Sequence, residues 1–153
     1  MSLSFNYQPI FTVNPILITK TFNPDVADPV EDPDSWLTNS TVYQVVNDQV
    51  LIERITIMSC GDNIVNPNVT NKLVYVYFYK YTDGAYSLYK VFDMPANTIT
   101  HTTPNAKYEL TFTGGILLNV SDKIIVASSF DATGLPADYL AVTIEGSVYN
   151  LGG

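Results

Sequence analysis

The segment that most constrains the fold is 72–93, KLVYVYFYKYTDGAYSLYKVFD, in which every second residue from Tyr75 to Tyr81 is a tyrosine. A period of two indicates a β-strand, because successive side chains of a strand point to opposite faces. Asp83 and Gly84 then form a dipeptide that favours a type I′ turn. The segment is therefore predicted to fold back on itself as a β-hairpin.

Pairing across this turn predicts two different faces for the hairpin. One face sets Tyr81 against Tyr86, Tyr79 against Leu88, Tyr77 against Lys90 and Tyr75 against Phe92, and the other carries Val76 with Val91 and Phe78 with Tyr89. Tyrosine has an apolar ring and a polar tip, so we expect the tyrosine face to bind a partner. The alternative is that both faces are covered within one sandwich.

Strand patterns separated by turn residues recur along the rest of the chain from residue 39 onward. They lie near 41–46, 50–59, 107–112, 115–120, 123–129 and 139–149, in addition to 72–81 and 85–93. No helical period persists over ten residues, and several strands alternate between apolar and polar side chains. The predicted class is all-β, an antiparallel two-sheet sandwich of about eight strands. A jelly roll is the leading topology, and an immunoglobulin-like sandwich is the alternative.

Residues 1–38 are predicted to form an extended N-terminal arm, followed by a sandwich domain at 39–153. The arm holds five of the nine prolines, which allow at most one short edge strand at 16–20. Its apolar side chains are too many for a disordered segment, so we expect the arm to lie on its own body or on a neighbouring subunit. The arm residues predicted to contact a partner are Phe11, Ile16, Ile18, Phe22 and Trp36. Trp36 is interpreted as an apolar plug between arm and sandwich, with sugar stacking as the alternative.

Composition argues against catalytic chemistry and against nucleic-acid binding. Cys60 and His101 are the only cysteine and histidine, so the chain alone can form no disulfide and no Ser-His or Cys-His pair. The net charge is −8 and the seven basic residues are scattered, whereas phosphate binding needs a basic patch. We therefore predict no enzymatic activity, no cofactor and no nucleic-acid partner, with a hydrolase that uses two carboxylates kept as an alternative.

The acidic run 25–34 carries five carboxylates and no base, which makes it the best candidate for a metal site. Calcium takes several carboxylate oxygens from one loop, but this run lacks both the D-x-D-x-D-G spacing and its glycine. A solvated arm or a contact with a basic neighbour is the preferred interpretation, so no metal site is predicted. The N-terminal residues do not form a signal peptide, and no stretch is long and apolar enough to span a membrane.

Three segments, taken in order, resemble a known family. TVYQVVNDQVLIERITIMSCGDN (41–63) resembles an opening "t-x-Y-x-V-p-x-g" that leads into a strand and an Asn/Gly-rich turn. YSLYKVFDMPANT (86–98) is similar to a strand ending in "l-P-a-n-t", and 115–149 to "l-x-L-x-x-g-D-x-I" followed by "v-x-v-x-G-x-x-y". This series is typical of small β-sandwich virion proteins of tailed bacteriophages. Asn47 and Asp48 replace the proline and glycine of the first motif, and the arm is additional.

The resemblance implies a structural subunit of a virion, such as a capsid decoration, neck or tail accessory protein, with no catalytic residues to carry over. We accordingly expect the chain to bind other virion proteins and copies of itself, after assembly in the host cytoplasm. Contacts would be made by the arm and by Tyr75, Tyr77, Tyr79, Tyr81 and Tyr86. The alternative is a carbohydrate- or receptor-binding module that uses Trp36 and these tyrosines as stacking platforms.

Overall fold

The structure is a computed structural model that describes residues 11–22, 40–60, 68–69, 72–98, 106–128 and 139–151. Its strands are β1 (Phe11–Phe22), β2 (Thr41–Gln44), β3 (Gln49–Ser59), β4 (Asn68–Val69), β5 (Lys72–Lys80), β6 (Ala85–Met94), β7 (Asn97–Thr98), β8 (Lys107–Leu118), β9 (Lys123–Ser128) and β10 (Leu140–Leu151). Strands β4 and β7 form a small pair of their own. The other eight build the sandwich.

The sandwich strands form two four-stranded antiparallel sheets. The first sheet has the order β1-β10-β3-β8, and the second has the order β2-β9-β5-β6. Each sheet therefore combines strands from the two halves of the chain, which is the double Greek key of a jelly roll. The predicted class, an all-β sandwich of jelly-roll type with about eight strands, is confirmed.

The core lies between the two sheets and follows the alternation of the sequence. Side chains predicted to point inward are fully buried on β3, β9 and β10: Ile55, Ile57, Ile124, Val126, Leu140, Val142 and Ile144. Val74, Val76 and Phe78 of β5 join the same cluster. The period of two alone was sufficient to identify these positions, because each of these strands buries one face against the opposite sheet.

Strand β1 is longer than the short edge strand predicted at 16–20. It pairs with β10 along its whole length, from Phe11 opposite Leu151 to Phe22 opposite Leu140. Pro15 is tolerated because β1 lies at the edge of its sheet, where one side of the backbone needs no partner. The described part of the predicted arm is therefore a strand of the first sheet.

The turn of the β5–β6 hairpin differs from the predicted type I′ turn. It spans four residues, 81–84, and the Gly84 N–H donates a hydrogen bond to the Tyr81 carbonyl oxygen at 3.2 Å. Gly84 has a φ of 57°, but Asp83 does not have a positive φ, and a type I′ turn requires one at both central positions. Four-residue loops of this kind are usually built around a type I turn.

The longer turn changes the register of the hairpin, so the predicted cross-strand pairs are wrong. Tyr79 pairs with Tyr86 and Tyr77 pairs with Leu88. A β-bulge then leaves Tyr89 without an opposite residue, and beyond it Tyr75 pairs with Val91. The assignment of faces survives this shift, since it depends on the alternation within β5 and not on the turn.

Candidate interaction surfaces

The outer face of the second sheet carries the predicted tyrosines, but two of them are already covered within the chain. Tyr75 lies opposite Ala127 of β9, and Tyr77 lies opposite Ile125. These four residues form a second apolar cluster, in which Tyr75 and Tyr77 are each 6% exposed. Burial also raises the pKa of the Tyr77 hydroxyl. For this pair, the alternative that both faces are covered agrees with the structure.

The accessible end of the tyrosine face consists of Tyr79, Tyr81 and Tyr86. The rings of Tyr79 and Tyr86 are half-buried, with their centroids 4.5 Å apart. The Lys123 ammonium lies 5.2 Å from the centre of the Tyr79 ring, within the range of a cation–π contact. Tyr81 begins the turn and is 61% exposed. A partner could therefore contact these three tyrosines without rearrangement of the sheet.

Exposed apolar side chains are concentrated on the β5–β6 hairpin. Among the described residues, large exposed hydrophobic side chains occur at nine positions, and five of them lie on this hairpin: Leu73, Tyr81, Leu88, Tyr89 and Val91. Leu88 and Val91 lie opposite the two buried tyrosines, and Leu73 shares their face by alternation. We call Leu73, Leu88 and Val91 the hairpin patch. Clustered apolar exposure of this kind marks interaction sites.

Tyr89 serves a different purpose from the other hairpin residues. Its ring lies 5.4 Å from Phe78 and 5.3 Å from Phe112, in edge-to-face arrangements. Phe112 belongs to β8, the edge strand of the first sheet, so the three rings join the two sheets along one side of the sandwich. The bulge in β6 accounts for this orientation, because bulges redirect a side chain.

All four edge strands of the two described sheets carry features that hinder the addition of another strand. Pro15 interrupts β1, and β2 is only four residues long. A bulge at Tyr89, followed by the exposed Lys90, interrupts β6. The register of β8 shifts near Gly115. Bulges, prolines, lysines and short strands all protect edges from pairing, so contacts through sheet faces and turns are favoured over strand addition.

The outer face of the first sheet is polar by comparison. Arg54 donates hydrogen bonds to Glu145 and to Glu109, the latter at 3.4 Å. The Arg54 guanidinium lowers the pKa of the Glu145 carboxyl through that hydrogen bond and through its charge. All three side chains are substantially exposed, so the pairs are screened by solvent and contribute little to stability.

Three turns meet at one end of the sandwich, at 45–48, 81–84 and 119–122, and we call this region the turn end. Asp122, which is 1% exposed, organises it. One carboxylate oxygen accepts the Tyr81 N–H at 2.9 Å, and the other accepts the Asn119 N–H at 2.9 Å. The Asp122 carbonyl accepts the Val45 N–H at 3.0 Å. One residue therefore connects all three turns.

Sequence reasoning found only part of this arrangement. It predicts that Asp122 hydrogen-bonds its own turn, as the bond from Asn119 does. The bond from Tyr81 was missed, because it joins residues 41 positions apart and leaves no local signal.

A cleft of about 200 Å³ opens at the turn end between β2, the first turn and β10. Its walls are mostly apolar, with a few polar groups: Tyr43, Val45, Val46, Asn47, Asp48, Val50 and Val148. Val46 on the rim is 72% exposed. Burial raises the pKa of the Tyr43 hydroxyl, which therefore stays neutral. An uncharged apolar group fits this cleft best.

The remaining predicted contact residues have mixed positions. Ile16 and Ile18 pack against the core from β1, and Phe22 is buried in it. For Phe11 the structure describes the backbone alone, where it begins β1. Trp36 and the acidic run 25–34 lie outside the described residues. Partner binding by these side chains stays a prediction.

Within the described part of the chain, no group of three His, Cys, Asp or Glu residues could hold a metal ion. Burial raises the pKa of the Cys60 thiol, although Lys72 acts in the opposite direction. None of the described segments forms a helix with the length and apolar character needed to cross a membrane.

Comparison with known proteins adds little to this description. No family model and no curated protein matches the sequence. A chain from the structure of infectious bursal disease virus, Gt strain, is similar over 92% of this chain, with a TM-score of 0.28 and 11% sequence identity. The similarity covers 32% of that chain, so this protein spans about a third of its length. The assignment of the fold rests on the strand order instead.

Proposed function

We propose that this chain is a non-enzymatic structural subunit of a virion, specifically a bacteriophage decoration, neck or tail accessory protein, that binds other virion proteins through its β5–β6 hairpin. The strand order supports the proposal, because double-sheet jelly rolls are common in viral capsid domains. The same fold occurs in lectins and cupins, so fold alone is an analogy. The motifs at 41–63, 86–98 and 115–149 support the phage assignment.

The concentration of exposed apolar side chains on one hairpin is the observation that carries the proposal. The hairpin patch lies on a face whose central tyrosines are already buried, so it forms an apolar margin beside the covered cluster. Tyr79, Tyr81 and Tyr86 extend it toward the turn end. Aromatic and aliphatic side chains with few charges are the usual centre of a protein interface.

Incorporation into particles tests this proposal. Full-length chain carrying Leu88→Asp should fold normally, because Leu88 is exposed, but should be lost from purified particles. Leu117→Asp is the matched control, since Leu117 is similarly exposed but lies on β8 of the other sheet. Quantitative mass spectrometry of the particles measures both variants. Equal incorporation of the two, or absence of the wild-type chain from particles, would contradict the proposal.

A carbohydrate-binding module is the second candidate, and the open Tyr79–Tyr86 pair with its neighbour Tyr81 favours it. Flat aromatic faces of this kind can stack on sugar rings. In that case Tyr81→Ala should abolish retention on a glycan array while leaving particle incorporation unchanged. A wild-type chain that binds no glycan on such an array would exclude this candidate for the glycans tested.

A further inference from the structure

Strand β1 begins at the turn end, so residues 1–10 join the sandwich there. Within the first sheet, Asn14 of β1 lies opposite Val148, which lines the cleft. Phe11 lies three residues farther along β1, opposite Leu151. At about 3.3 Å per residue, the chain at Phe11 is about 10 Å beyond the cleft and directed outward. The start of β1 therefore points away from its own sandwich.

The composition of residues 1–10, MSLSFNYQPI, fits an apolar cleft. The segment has no charged residue, and it contains four large apolar side chains: Leu3, Phe5, Tyr7 and Ile10. Ten extended residues reach at most about 36 Å, which is enough to cross a contact between two copies. A return to the cleft of the same copy would instead require a complete reversal of the chain just before β1.

The charges at the turn end allow two copies to approach each other there. The whole chain carries a net charge of −8, so most orientations of two copies are repulsive. Close to the turn end, the carboxylates of Asp48 and Asp83 are balanced by the ammonium groups of Lys80 and Lys123. Asp122 is buried and hydrogen-bonded. This end is therefore close to neutral, which suits a contact between two copies of the same chain.

We propose that two copies of this chain meet at their turn ends and that residues 1–10 of each copy dock in the cleft of the other, with Phe5 or Tyr7 inserted beside Val46. Such an exchange is isologous, so a two-fold axis closes it into a dimer. The proposal concerns self-association and does not depend on the virion assignment. Its partner is a second copy of the same chain.

Sedimentation of the full-length chain tests the dimer. Val46→Asp places a charge at the apolar rim, and Tyr7→Asp places one in the inserted segment. Each substitution should raise the dimer dissociation constant about tenfold or more. Leu17→Asp is the control, because Leu17 is 69% exposed on the outer face of the first sheet and should leave the dimer intact. A monomeric wild type at about 100 µM, or dimers that survive both test substitutions, would overturn the proposal.

Cross-linking distinguishes exchange between copies from docking within one copy. Two full-length chains with different tags are mixed, both with Cys60→Ser, one with Tyr7→Cys and the other with Val46→Cys. Exchange predicts a disulfide that joins the two tags after mild oxidation. A chain carrying both new cysteines that closes its disulfide only within itself, with no link between tags, would assign the cleft to the same copy and refute the exchange.

Discussion

Replacing Asp122 by asparagine should destabilise the sandwich far more than the loss of one turn acid normally would. Asp122 is almost completely buried, and its two carboxylate oxygens accept the N–H groups of Tyr81 and Asn119. An asparagine side chain at this position retains only one acceptor oxygen, and its NH₂ group would face the second N–H. One backbone donor is therefore left without a partner, and the remaining hydrogen bond loses its charge.

The geometry sets the magnitude of this effect. Both hydrogen bonds are 2.9 Å long, and a hydrogen bond to a charged group contributes about 1.5–3 kcal/mol. Losing one bond and weakening the other should lower the free energy of unfolding by about 3 kcal/mol. For a chain of this size, that corresponds to a decrease in Tm of roughly 6–12 °C.

Urea unfolding and hydrogen exchange together measure the prediction. Urea unfolding gives the loss of stability, and exchange should show reduced protection of the Tyr81 and Asn119 amides in particular. Asp83→Asn is the control, because Asp83 is an exposed acid of the neighbouring turn and its change should stay within about 0.5 kcal/mol. If both variants unfold at the same urea concentration, or if the two amides keep their protection, the role assigned to Asp122 is wrong.

The other predictions concern backbone packing, the two faces of β5 and pH. Gly146→Ala should cost about 3 kcal/mol or more in urea unfolding, because a Cβ there would lie 2.1 Å from a backbone oxygen of β3. Tyr77→Ala and Phe78→Ala should each cost about 3–5 kcal/mol in the same assay, since both side chains are buried. In an NMR titration, Arg54→Met should return the lowered pKa of Glu145 toward its ordinary value. Gly84→Ala is the control for Gly146→Ala: it meets no atom within 4 Å and is opposed only by its φ of 57°, so it should cost about 1–2 kcal/mol. A harmless Tyr77→Ala would show that its face is open. Because the folded-state pKa of Glu145 is lowered, its contribution to stability is present above the ordinary carboxyl range and is lost as pH falls through the lowered pKa. Stability differences between Glu145→Gln and wild type should therefore vanish in acid.

The class of fold and the inward-facing residues follow from the sequence through local physics. Side chains alternate along any strand, so the apolar positions of β3, β9 and β10 identify the buried face without reference to other strands. Turn residues between the patterns indicate where strands end. These signals are sufficient for a two-sheet sandwich, and they made a jelly roll the leading topology.

The register of the hairpin and the accessibility of its tyrosines needed the tertiary structure. A four-residue turn and a bulge shifted the pairs, and neither is specified by the Asp83–Gly84 dipeptide alone. The burial of Tyr75 and Tyr77 depends on what covers the outer face, which alternation within β5 cannot indicate.

Periodicity along the chain thus determined which residues form strands and which side of each strand is apolar, because those properties depend on neighbours one and two positions away. The tertiary structure alone decided that Asp122 connects three turns and that a cleft opens beside Val46. Both features join residues that are distant in sequence, and their geometry exists only after the two sheets have packed. The physical difference is the range of the interactions involved.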